Sequence, residues 1–229
     1  MTSSYHLNMN PNPRAIRILC YGDSNTWGWV PSKMGRERYD TQNRWPGILQ
    51  KKLGEKYEVI EEGLGGRTTM FDDPRPEFPC RNGLQTFASI LESHLPIDLV
   101  IFMLGTTDAK EMMGLDSSKI TEGMRRLIRA AKKFKTLDGF SSPNLLIIVP
   151  PILEEKTVFA STLFKGGTAK TKALIRSYST LAKEEKVLYL NPTDEVKVDS
   201  EEGVHIDAEN HKKLAELVYN KIILSSHIS

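Results

Sequence analysis

A chain of 229 residues, 39% hydrophobic and 26% charged, suits one globular core of ordinary size. Its 31 basic and 29 acidic side chains leave a formal net charge of +2, which makes no electrostatic case for a nucleic-acid partner or a membrane surface. Two cysteines, Cys20 and Cys80, form no disulfide framework, and no CxxC or Cys/His spacing points to a metal or another cofactor.

Residues 1–13 are polar and carry Asn and Pro where a secretory apolar region would stand. They are expected to form a disordered tail ahead of a single domain over 14–229, with a cytoplasmic location as the default. No apolar stretch reaches the roughly 20 residues of a membrane helix. Along the domain, short apolar runs at 15–21 (AIRILCY), 57–61, 98–104, 144–149 and 187–190 read as strands. They are nearly continuous in hydrophobicity, as expected for parallel strands buried on both faces. Amphipathic stretches at 44–53, 83–94, 118–134, 168–185 and 208–224 read as the helices between them. Such alternation predicts a three-layer α/β/α sandwich around a parallel sheet. Two long loops, 30–43 and 69–82, are candidate substrate walls if they rise at the carboxyl edge of that sheet.

Four segments carry chemistry. Gly22-Asp23-Ser24-Asn25-Thr26-Trp27-Gly28-Trp29 follows the first strand directly, so Ser24 would sit exposed at a strand-to-helix turn. A competing reading makes Ser24 only the cap of the next helix. Glu202-Gly203-Val204-His205 places a carboxylate three residues ahead of a histidine, where it can accept the Nδ1 proton and leave Nε2 free as a base. Of the other histidines, His6 and His227 fall in the termini, while His94 and His211 read as helix-surface residues. Gly63-Leu64-Gly65-Gly66-Arg67 and Leu104-Gly105-Thr106-Thr107-Asp108 close the second and third strands. Gly66 could offer a backbone donor there, and ordinary turn chemistry is the alternative for both loops. Arg67 could bind an anion or simply brace its loop.

In this order, GDSNTWGW, VIEEGLGGRTT, LVIFMLGTTDAK, FKGG and EGVHIDAEN resemble the SGNH hydrolases, or GDSL esterases, over about residues 17–224. The likeness is greatest to the arylesterase/acyltransferase branch. It implies a flavodoxin-like fold with a five-stranded sheet and no cofactor. It also implies ester hydrolysis with Ser24 as nucleophile, His205 as base and Glu202 as orienting acid. Ser24 and Gly66 amides would form the oxyanion hole with Thr107, and Trp27, Trp29 and Asn25 would line the substrate pocket. Two positions depart from the family: Thr107 stands for the Asn of GxND, and Glu202 for the Asp of DxxH, with Asp199 as a fallback acid. Small-molecule esters are the expected partners, with acyl transfer to alcohols a further capability. A carbohydrate deacetylase, or a weakened binding protein on the same fold, is the alternative, and a nucleotide binder is disfavoured because no phosphate loop is present. Self-association through the long loops is left open.

Overall fold

The computed structural model describes residues 12–134 and 141–225. The first eleven residues of the expected tail, with His6, and also His227, lie outside the described residues. Five strands run in parallel: β1 (Ile16–Gly22), β2 (Tyr57–Gly63), β3 (Leu99–Met103), β4 (Asn144–Ile148) and β5 (Leu188–Leu190). Their order is β2-β1-β3-β4-β5. The chain winds outward from β1 to β2, then crosses back to β3 on β1's other side. The break in winding lies between β1 and β3, the place where open α/β sheets hold ligands.

Alternate strand residues feed two cores, which is why the sequence reads as solid apolar runs. Leu19, Tyr21, Val100, Phe102, Leu145 and Ile147 face α3 (Gly83–Ser93), α4 (Ser117–Lys133) and α6 (Gly167–Glu185). Ile18, Cys20, Leu99, Ile101, Met103, Leu146 and Ile148 face α2 (Trp45–Leu53) and α7 (Ala208–Ile223). The three-layer expectation holds. The helix expected at the serine turn is short, α1 (Ser24–Trp27), and one further short helix was not foreseen, α5 (Val158–Leu163). Four and six residues are too few to show an apolar period.

His211 corrects its surface reading. It is fully buried in α7, where its Nδ1 accepts the Trp45 amide at 3.2 Å. Burial, with His205 and Arg44 adding, drives its pKa down to about 3. It lies on the stripe of Leu214, Ala215, Val218 and Ile222, so helical periodicity could have placed it inside.

Candidate active site

Register brings the chemistry together before any side chain is considered. Gly22 pairs with both Gly63 and Met103, so β1, β2 and β3 end level and their three loops rise side by side. Glycine at the ends of β1 and β2 lets α1 pack onto the strand ends. A Cβ on Gly22 would lie 2.0 Å from Thr26 Oγ1, and one on Gly63 would lie 2.3 Å from the Trp27 nitrogen. Gly22 therefore serves through close approach.

Ser24 opens α1, but it is not the cap. Asp23 is: its Oδ1 accepts the Asn25 amide at 2.9 Å. Released from capping, the Ser24 hydroxyl lies 2.9 Å from His205 Nε2. Across the ring, His205 Nδ1 lies 2.5 Å from Glu202 Oε1. A carboxylate accepts only, so this pairing puts the ring proton on Nδ1 and turns the Nε2 lone pair toward Ser24. The other oxygen, Glu202 Oε2, accepts the amides of Val204 and His205 at 3.0 and 2.7 Å. Ser24, His205 and Glu202 are all nearly buried, at 6%, 5% and 3% exposure, so water does little to loosen these bonds.

The loop that carries this pair is fixed from several sides. Asp199 Oδ1 accepts the amides of Glu201 and Glu202, both at 3.0 Å, and the Asp199 amide donates to His205 O at 2.7 Å. Asp199 thus builds the loop, and Glu202 is the acid on the imidazole. Gly203 has φ +87°, and a Cβ there would lie 2.3 Å from Glu154 O, so only glycine fits. Trp29 stacks on His205 with ring centres 4.6 Å apart and planes at 16°.

A cavity of about 390 Å³ opens onto Ser24 and His205. Gly66 and Thr107 line it, as do Trp27 and Trp29. Asn25 does not. It is buried beneath the pocket, where Oδ1 accepts the Ile206 amide at 3.0 Å and Nδ2 reaches Val204 O at 3.5 Å. The expected pocket contact is instead a tie between the serine turn and the histidine loop. Arg67 is likewise structural: it donates to the carbonyls of Gly22 and Glu62 and lies 4.0 Å over the Tyr21 ring.

Both long loops do form walls. Loop 30–43 supplies Gly35, and loop 69–82 supplies Arg75, Phe78 and Arg81. The unforeseen α5 adds Phe159 and Leu163, and the FKGG segment adds Phe164. With Lys110, the lining holds three cations and no carboxylate. Lys110 and Arg75 share Asp73, at 3.6 and 2.6 Å. Burial, with Arg75 adding, pushes the Lys110 ammonium below its ordinary range.

Two acids sit under the site. Burial drives Asp23 up to about 7 and Asp108 up to about 6, and the charge of Asp108 adds to the shift at Asp23. Asp108 accepts the Thr69 amide at 3.0 Å and its hydroxyl at 2.5 Å, which ties the loop after β3 to the loop after β2. Among the described residues no group of His, Cys, Asp and Glu could hold a metal, and no helix is long and apolar enough to cross a membrane.

Known proteins share this architecture. The model of the GDSL-like lipase/acylhydrolase family matches residues 20–213. The native aryl esterase of M. smegmatis is 37% identical with a TM-score of 0.85, covering 91% of this chain and 99% of that one. A carbohydrate acetylesterase from Sinorhizobium meliloti is 35% identical with a TM-score of 0.86, covering 91% and 98%. No curated protein sequence matches the chain. A matched family model over most of the length, on a parallel sheet that aligns with these esterases, settles the class: the chain belongs to the GDSL-like lipase/acylhydrolase family of SGNH hydrolases and is an esterase.

Proposed function

We propose that the chain hydrolyses small acyl esters through an acyl intermediate on Ser24. The observation that carries this reading is the continuous relay of Ser24 Oγ, His205 Nε2, His205 Nδ1 and Glu202 Oε1, at 2.9 and 2.5 Å. In it, Ser24 Oγ attacks the ester carbonyl as His205 Nε2 takes the hydroxyl proton. Glu202 keeps the imidazole in the accepting tautomer and steadies the imidazolium. The tetrahedral oxyanion is held by the amides of Ser24 and Gly66, neither of which donates to another described residue's backbone, with Thr107 beside them. His205 then protonates the leaving alcohol, and water, deprotonated by the same nitrogen, releases the acid.

The cavity's size and its wall of Trp27, Trp29, Phe78, Phe159 and Phe164 support short acyl groups and flat or ring-shaped alcohols. The likeness to an aryl esterase and to a carbohydrate acetylesterase supports acetyl esters of either kind. An aromatic pocket that sheds water also favours acyl transfer to alcohols. Purified protein is expected to hydrolyse p-nitrophenyl acetate and to take a fluorophosphonate label, with both lost in Ser24→Ala. Equal turnover by the variant would refute the serine mechanism.

A second reading is favoured by Thr107, which stands where the family places Asn: a weakened enzyme serving mainly as a binding protein. A rapid fluorophosphonate reaction would count against it, because labelling requires an activated serine.

A further inference from the structure

Gly65 and Gly66 share one peptide group, whose carbonyl and N–H point opposite ways. Arg67 N donates to Leu64 O at 3.0 Å and closes a β-turn over residues 64–67. Gly66, at the third position, has φ +81°, the signature of a type II turn. Types I and II differ in the direction of the central peptide, here the one joining Gly65 and Gly66. Glycine on both sides imposes no steric preference between the two, and a Cβ on Gly65 would meet nothing within 4 Å. The turn alone therefore does not decide which way the Gly66 N–H points.

Arg81 decides it. Its Nε donates to Gly65 O at 2.8 Å, and its Nη1 donates to Pro79 O at 2.7 Å. Its guanidinium lies 5.4 Å from the Phe78 ring, and its own carbonyl accepts the Thr68 amide at 2.9 Å. The guanidinium is thus anchored at several points on the loop that walls the pocket. A flip of the peptide would turn an N–H toward the arginine donor and lose a charge-assisted hydrogen bond.

We propose that Arg81 is a positioning residue for the oxyanion hole. It clamps the Gly65–Gly66 peptide so that the Gly66 N–H stays presented to the tetrahedral intermediate. Its positive charge on the carbonyl also polarises that N–H and makes it a stronger donor. The inference rests on the proposed roles of Ser24 and Gly66.

The test compares Arg81→Met, which keeps the aliphatic stem and removes the donors, with Arg81→Lys, which restores one. On p-nitrophenyl acetate, Arg81→Met is expected to lower kcat about tenfold, short of the ~10²–10³ for outright loss of a donor. KM should stay within about twofold, as expected for a donor used in the transition state. Fluorophosphonate labelling should slow in proportion, because the phosphoryl oxygen occupies the same hole. The midpoint of the pH–rate profile should not move, since His205 and Glu202 are untouched, and Arg81→Lys should recover much of the loss. Should the Met variant fail to fold, the same ratios read on Arg81→Gln decide the matter. Unchanged kcat, a rise in KM alone, or equal losses in Met and Lys variants would overturn the clamp. Loss of the oxyanion hole without loss of the nucleophile is separable, because Ser24→Ala tests the esterase reading on its own.

Discussion

The acid of the relay can be tested by a change of one atom, Glu202→Gln. In the structure Glu202 Oε1 faces His205 Nδ1 at 2.5 Å while Oε2 accepts two amides at 3.0 and 2.7 Å. A glutamine has one oxygen for these two places. Setting its NH₂ against the two backbone N–H groups would oppose donors in a buried pocket, at a cost of roughly 1–3 kcal/mol each. The oxygen is therefore expected on the amides and the NH₂ on Nδ1. An NH₂ there donates, so Nδ1 must accept and the ring proton moves to Nε2, facing Ser24. The base then cannot take the serine proton. The loss expected for such a wrong tautomer is about 10⁴ in kcat, or about 5.5 kcal/mol of barrier, with the loop still bonded and the fold retained. The assay is p-nitrophenyl acetate hydrolysis, with thermal unfolding to check that the variant is folded. A loss under tenfold in a folded variant would refute the orienting role of Glu202.

Thr107→Asn should raise kcat with little change in KM, because an added side-chain donor would act on the oxyanion and not on the ground state; an unchanged kcat would show that Thr107 already serves. Asp23→Asn should flatten the dependence of stability on pH. The folded pKa of Asp23 is raised from 3.8 to about 7, so its contribution is fully present below pH 3.8 and is lost as pH rises toward 7. Urea midpoints at pH 5 and pH 8 should therefore fall less between the two in the variant than in the wild type, and an equal fall would remove Asp23 as the cause. The three cations around the cavity predict competitive inhibition by the released carboxylate, weakening as salt rises; acetate and benzoate titrations at two ionic strengths check this, and salt-independent constants would contradict it. Gly203→Ala should destabilise the histidine loop by on the order of 2 kcal/mol or more through its left-handed φ and the Glu154 carbonyl, read as a fall in melting temperature.

What could be read in the sequence was local or periodic. The runs of β1, β3 and β4 showed a parallel sheet because these central strands are buried on both faces, and the spacing of Glu202 and His205 already allowed the contact that forms. What escaped depends on contacts between distant segments. Asn25 looks like one more polar turn residue beside Ser24, yet its partners lie 179 and 181 residues away, and no local pattern encodes them. The pocket cations come partly from a Pro-rich loop whose path has no period, so Arg75 and Arg81 carried no signal until the loop was folded over Gly65. The substitution of Glu for the family's Asp is the instructive case. From sequence it read as a departure that left Asp199 as a fallback acid. In the fold, one carboxylate turns back onto the amides of Val204 and His205 while also reaching the imidazole. The same carboxylate bonds the His205 ring and ties down the turn that carries it. That double bonding makes Glu202 hard to replace by its amide, and it places the chain's remaining departure from its family at Thr107.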